Sequence, residues 1–202
     1  MNPPGLRERK KQRTRTAIQQ HALRLYREQG YGSTTTEQIA AAAEVSPSTF
    51  FRYFPTKTDT VLYDRLDPLA VDAILAQPAD VPPLRAVRNA LREVLEALSP
   101  EELALEASRW RLVSEVPELR AAASAQIETT LPVFAEVIGR RVGRPADDEA
   151  VVAWTGAVVG TIIASLFAAF DRGDRDLIGS VHRGLAHLEA GPASLTSADG
   201  GP

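Results

Sequence analysis

Residues 31–57 read YGSTTTEQIAAAAEVSPSTFFRYFPTK, and two short helices are written into this stretch with their caps. Thr34 with Glu37, or Thr35 with Gln38, fits a capping box, where a hydroxyl and a longer polar side chain each satisfy one free N–H. Ile39 and the alanines around it supply an inward face. Glu44 and Val45 form the turn, with Val45 pointing inward to lock the two helices together. Ser46 is placed to cap the second helix, and Pro47 takes its first position, where a missing N–H costs nothing. Phe50 and Phe54 stand four apart and share one face, the inward one. Pro55 ends the helix, and Thr56 can cap a further one that starts at Lys57.

Pro47, Ser48, Thr49, Phe51, Arg52 and Tyr53 are left turned partly outward. Small hydroxyls near a helix N-terminus fit close against base edges, while Arg52 and Tyr53 can reach acceptors on bases or phosphates. Two helices joined by a tight turn, the second carrying such a face, describe a DNA-reading helix-turn-helix. Lys57 and the free N–H groups at the next helix start would then clamp a phosphate. An ordinary helical hairpin explains Phe50 and Phe54 equally well, but not the polar outward side.

Charge points the same way. The chain has 202 residues and a net charge of −3, yet residues 1–60 hold ten Lys/Arg against five Asp/Glu. The remaining residues hold 13 basic side chains against 21 acidic ones. A basic head on an acidic body suits a polyanion partner. No cysteine is present, which excludes disulfides and thiolate metal sites. The start, MNPPGLRERKKQRTR, has no apolar stretch behind its charges, so a secretory signal is not expected and a cytoplasmic location is.

Outward from the motif, the periodicity is helical and the expected fold is all-α. Ile18, Ala22 and Leu25 mark one face of a first helix closed by Gly30. Leu84, Val87, Leu91, Val94 and Leu98 line a later helix, and similar spacing recurs through Ile138 and from Leu177 to Leu188. Pro68 and Pro132 fall inside helical patterns and should kink or split them. GPASLTSADGGP, at the C-terminal end, has the composition of a disordered tail.

From about Arg13 to Leu62 the chain resembles the DNA-binding domain of the tetracycline-repressor (TetR) family of bacterial one-component regulators. IQQHALRLYREQGYGSTTTEQIAAAAEV followed by SPSTFFRYFPTKTDTVL carries the likeness. It implies a three-helix helix-turn-helix head, a larger helical ligand-binding and dimerisation body, and a homodimer on a palindromic operator in double-stranded DNA. The resulting division is a disordered basic arm over 1–12, the DNA-binding domain over 13–58, the body over 59–190 and a disordered tail over 191–202. Carried over by position, Thr36 and Glu37 open the second helix, Ser46, Pro47, Ser48, Thr49, Phe51, Arg52 and Tyr53 fall on the recognition helix, and Lys57 opens the fourth. Glu44 stands where many members have glycine, which counts against a tight positive-φ turn. Phe51 stands where many have a phosphate-binding tyrosine, so that bond is not expected.

Residues 151–170, VVAWTGAVVGTIIASLFAAF, carry no charge and are long enough to cross a bilayer. Acids flank the run on both sides, not the basic residues of a cytoplasmic membrane edge. Gly156, Gly160, Ala164 and Ala168 recur every four residues and would let another helix approach closely. The resemblance implies that the last two long helices of each subunit build the dimer interface. A helix facing its own core and its twin should be apolar all round. Gly156, Gly160, Ala164 and Ala168, with Val181 and Leu185 on the next helix, are the expected interface, and no membrane contact is expected.

Catalysis finds no support. His21, His182 and His187 lack carboxylates at metal-ligand spacing, and no glycine-rich phosphate loop precedes a helix. Neither a metal nor a cofactor is expected, nor enzymatic activity. The resemblance places a ligand among the middle helices, where Trp110, Phe134, Trp154 and Phe167 could line a pocket. Arg88, Arg92, Arg109 or Arg111 could meet an anion there. SRWRLVSEVPELRA, with FFRYFP, is also similar to members that bind acyl-CoA-like ligands; an unrelated amphiphile is the other candidate inducer. The expected function is a ligand-responsive transcriptional repressor. The alternative is a helical adaptor whose basic head docks on an acidic protein.

Overall fold

The computed structural model describes residues 5–174 and 176–191. They form ten helices and no strand: α1 Leu6–Gln29, α2 Thr36–Ala42, α3 Pro47–Tyr53, α4 Lys57–Leu62, α5 Asp67–Ala76, α6 Pro83–Glu96, α7 Pro100–Glu115, α8 Pro117–Val142, α9 Glu149–Asp171 and α10 Leu177–Ala190. Two compact units result. One gathers the chain up to Arg65 with Pro100–Ser124, and the other takes Leu66–Ser99 with the residues from Ala125 onward.

The first unit is built around α1. Ile18, Gln19, Ala22, Leu23 and Tyr26 are its buried stripe, and Leu25 is only half-buried. The helix starts at Leu6, so residues 6–12 are not the disordered arm expected of them. LRERKKQ contains only residues that tolerate a helix well, and nothing after Gly5 interrupts it. Residues 1–4 lie outside the described part, as do 192–202 of the expected tail.

Thr35 and Gln38, not Thr34 and Glu37, make the capping box of α2. Thr34 is buried instead, its hydroxyl donating to the Gly30 carbonyl at 2.8 Å. The α2–α3 turn does adopt positive φ, at 54° on Glu44, although no glycine is there. The Glu44 N–H bonds the Ala41 carbonyl and the Val45 N–H the Ala40 carbonyl. These bonds hold a conformation that costs a side-chain-bearing residue about 1 kcal/mol or more.

The domain boundary also differs from the expected one. All of α4 and α7 belong with α1, α2 and α3, and Arg65 and Arg109 join the end of α4 to α7 by buried ion pairs. Pro68 falls at the start of α5 and so separates it from α4. Pro132 lies inside α8 without ending it.

In the second unit Ile74, Val87, Ala90, Ala135, Val137, Ile138, Val151, Val158 and Leu185 form the core. Arg141 of α8 donates to the carbonyls of Gln77 and Val81, which fixes the α5–α6 loop. Asp148 caps α9 and Asp176 caps α10. These last two helices pack against each other closely at Gly184, where an added Cβ would lie 2.1 Å from Ser165 Oγ. Leu185, expected at a dimer interface, is fully buried inside its own unit. Its helix turns that face toward α9 and the core, so it has no surface to offer a partner.

Candidate nucleic-acid interface

Helix α3 has a filled side and an open side. Phe50 and Phe54 are 0% and 1% exposed. The Phe54 ring meets Tyr63 edge-on at 5.9 Å, and the Arg15 guanidinium stacks 4.3 Å over Tyr63. Arg15 also donates to the Tyr53 carbonyl at 3.2 Å, tying α1 to the end of α3. At the other end Ser46 Oγ accepts from the Thr49 N–H at 3.1 Å, as the sequence predicts.

Ser46, Pro47, Ser48, Phe51 and Arg52 are exposed, while Thr49 and Tyr53 are half-buried. The Ser46, Ser48 and Thr49 hydroxyls sit about one hydrogen bond apart, with Ser46 Oγ 3.0 Å from each of the other two. Arg52 rests over the Tyr53 ring at 5.4 Å and touches Thr49 Oγ1 at 3.4 Å, so its guanidinium is steered along the open face. Phe51 is 47% exposed yet held edge-on against Phe50, centroids 5.3 Å apart.

The other expected contacts flank this face. Thr36 is half-buried and donates to the exposed Glu37 carboxylate at 3.3 Å. Hydrogen bonds from its own backbone N–H and the Thr35 hydroxyl hold the Glu37 carboxyl below its usual range, so Glu37 stays ionised at the start of α2. Lys57 departs from a freely projecting phosphate clamp. Its ammonium donates to the Tyr31 and Thr34 carbonyls at 2.8 and 3.1 Å and lies 4.2 Å over the Tyr31 ring. A lysine has three donors, so one remains after those two bonds.

Beneath the face lies a polar layer that sequence reasoning missed. Gln19 is 1% exposed and donates to the Thr60 and Tyr63 carbonyls at 3.0 and 2.7 Å. Tyr26 Oη meets Thr60 Oγ1 at 2.8 Å, and burial raises its pKa. A glutamine inside the apolar stripe of α1 was the one available signal. Arg109, expected to meet a ligand anion, is 3% exposed and already engaged. It pairs with Asp64 at 2.6 Å and Glu106 at 2.8 Å, and donates to the Val61 carbonyl. Burial alone would lower its pKa, but the two carboxylates outweigh that and raise it. Arg65 completes the cluster, reaching Glu106 and Glu102 at 3.0 Å each. Nothing in residue spacing betrays the pairs that lie 37 to 45 positions apart.

The remaining ligand candidates divide between the units. Trp110 is half-buried under Arg109 in the first unit, centroid 5.0 Å from the guanidinium. Phe134 and Trp154 pack on the core of the second, and Phe167 is half-buried on α9. Arg88 is paired with Glu189, Arg92 donates to Asn89, and Arg111 is exposed. Among the described residues no group of three His, Cys, Asp or Glu could hold a metal ion.

Comparison with known proteins agrees with this geometry. Residues 18–62 match the family model described as bacterial regulatory proteins, tetR family. Residues 81–193 match the model described as the MftR C-terminal domain. The HTH-type transcriptional regulator TcmR of Streptomyces glaucescens is 39% identical over 155 residues, covering 73% of this chain and 69% of that protein. Thermus thermophilus FadR, described as a TetR family transcriptional repressor in complex with lauroyl-CoA, is 28% identical with a TM-score of 0.53, covering 88% of this chain and 94% of its own. The fatty acid degradation regulator FadR of Bacillus halodurans shares the fold at 20% identity, with a TM-score of 0.55 over 87% of this chain and 98% of its own.

Proposed function

The chain belongs to the TetR family of bacterial transcriptional regulators, which are not enzymes, and we propose that it is a cytoplasmic, ligand-released repressor acting as a homodimer. The open face of α3 carries this reading. Its buried side is complete within the unit, so the exposed hydroxyls, Arg52 and the pinned Phe51 ring are available to a second molecule. Ser48, Thr49 and Arg52 offer donors to base edges in a major groove, and Arg52 suits the O6 and N7 of guanine. Thr36, Tyr53 and Lys57 lie where backbone phosphates would pass, and Glu37 could accept from a cytosine amino group.

The dimer reading is supported by α9. The helix is long and apolar enough to cross a membrane, with a mean hydropathy of 2.0, but only 22% of that window is buried inside the chain. Gly160 and Ala164 are exposed, Gly156 is half-buried, and Val152 is 49% exposed. An added Cβ at Gly156 or Gly160 would meet nothing within 4 Å. The row of small residues therefore faces away from its own unit, as a helix awaiting its twin does. Two heads held this way would reach successive major grooves about 34–36 Å apart.

The inducer proposed is an amphiphile of the acyl-CoA kind, met by Phe134, Trp154 and Phe167 in the second unit; Trp110 stays a candidate in the first. The lauroyl-CoA bound by the Thermus relative favours this choice. Selection of duplexes from a random pool by the purified protein should return a palindrome, and lauroyl-CoA should release it. A pool that shows no motif after selection would overturn the repressor reading; a motif unaffected by lauroyl-CoA would overturn only the choice of inducer.

A further inference from the structure

The first two turns of α1 are built against the ordinary electrostatics of a helix. Residues 6–13, Glu8 aside, are all exposed, with Leu6 at 73%. They carry Arg7, Arg9, Lys10, Lys11 and Arg13, and the only acid among them is Glu8. Arg7 with Lys11 and Arg9 with Arg13 stand four apart, a spacing at which like charges repel. Arg7 and Arg9 also sit in the first turn of the helix, where the macrodipole disfavours positive charge. Arg7, Arg9, Lys10 and Arg13 make no ion pair among the described side chains. At 3.6 residues per turn the five cations share one broad side of the helix, and Gln12 lies on the other, the side that packs.

The base of this extension is fixed. Gln12 donates to Tyr63 Oη at 2.8 Å, and three residues later Arg15 is bonded to the Tyr53 carbonyl and stacked on Tyr63. The cationic turns therefore emerge from a point tied to the C-terminal end of α3, and residues 6–13 extend about 12 Å along the helix axis. A polyanion lying on the open face of α3 would relieve both the mutual repulsion and the dipole mismatch.

We propose that residues 6–13 form a second DNA-binding surface, which grips phosphates flanking the bases read by α3 and does so without regard to sequence. The proposal rests on the operator-binding reading above. Its partner is the backbone of double-stranded DNA, recognised by charge alone, because long arginine and lysine side chains that no neighbour holds in place offer no fixed register to base edges. Each phosphate neutralised steepens the log–log dependence of affinity on salt by about 0.9.

The test uses the full chain and a variant carrying Arg7→Gln, Arg9→Gln, Lys10→Gln and Arg13→Gln, since glutamine keeps helix propensity while removing charge. Both are titrated from 50 to 200 mM salt against a 40-base-pair duplex of random sequence, and against a selected palindrome with and without eight base pairs added on each side. The expected result is a salt slope shallower by about two or more in the variant, with a tenfold or larger loss on the random duplex and the lengthened palindrome and a smaller loss on the trimmed one. Wild type should bind the lengthened palindrome more tightly than the trimmed one, and the variant should not. An Arg-to-Lys version of Arg7, Arg9 and Arg13 should restore the wild-type slope. Equal slopes for wild type and the glutamine variant, or indifference of the wild type to the added flanks, would overturn the proposal while leaving the palindrome standing. Failure to find a palindrome would instead strike the operator reading itself. The wild-type flank comparison decides the matter even if the variant folds poorly.

Discussion

Helices α3 and α9 are opposite ways of using apolar residues. Helix α3 is seven residues long, and its two inward phenylalanines are covered by its own unit. What remains outside is polar, small or charged, so the helix is finished as a packing problem and open only to a ligand of matching chemistry. Helix α9 spans 23 residues without a charge between Glu149 and Asp171, yet only 22% of its apolar window is buried in the chain. The difference lies in what completes each. A polar face can stand in water indefinitely, whereas each apolar Å² left there forfeits about 25 cal/mol that a partner could recover.

The sharpest way to break the comparison is to attack the layer that makes α3 self-sufficient. Arg109→Ala removes the buried cation that Asp64 and Glu106 share, leaving Glu106 to Arg65, and should cost about 3–5 kcal/mol in urea unfolding. A loss below about 1 kcal/mol would mean that the cluster is not what couples α4 to α7.

Two glycines then separate the inside of the second unit from its outside. Gly184→Val should lower the stability of the folded chain by about 1–3 kcal/mol, because its Cβ collides with Ser165. Gly160→Leu meets nothing within the chain and should leave monomer unfolding unchanged. It should weaken the dimer by a similar 1–3 kcal/mol, about tenfold to hundredfold in Kd by sedimentation. An intact Gly160→Leu dimer would place the interface on another surface.

Recognition and capping effects come next. Arg52→Ala should lose about 1–3 kcal/mol of affinity for a selected palindrome but little for random duplexes, read by competition binding. Equal losses on both would make Arg52 a phosphate contact. Ser46→Ala should cost about 1 kcal/mol of thermal stability by removing the cap of α3.

The smallest effect is a pH dependence in the second unit. Burial, then Arg88 and Arg92, lowers the pKa of His182, against opposing pulls from Asp176 and Glu96. The unfolded chain therefore takes up this proton first, and stability should fall as pH drops below the ordinary histidine value of 6.5. His182→Gln should flatten the change in Tm between pH 7.5 and 5.5. An unaltered slope would assign that sensitivity to other groups.

The all-α class, the caps at Ser46 and Thr56, and the inward Phe50 and Phe54 were legible in the sequence, whereas the choice between Thr34 and Thr35 as the cap of α2 was left open and fell to the structure. The outward set on α3 was legible too, since it follows once the inward set is known. The positive φ of Glu44 was not, since glycine is only the least strained way to make that turn and two backbone hydrogen bonds hold it without one. Arg109 looked like any helical arginine until folding brought Asp64 and Glu106 to it. Leu185 was expected at a dimer interface because a periodic apolar face, from Leu177 to Leu188, does not say whether its own unit or a partner covers it. Local pattern thus determined which segments are helices and where they stop. Only the tertiary structure decided which charges are buried, which apolar residues are already used, and that the domain boundary runs through α8, because those outcomes depend on contacts between residues far apart in the chain.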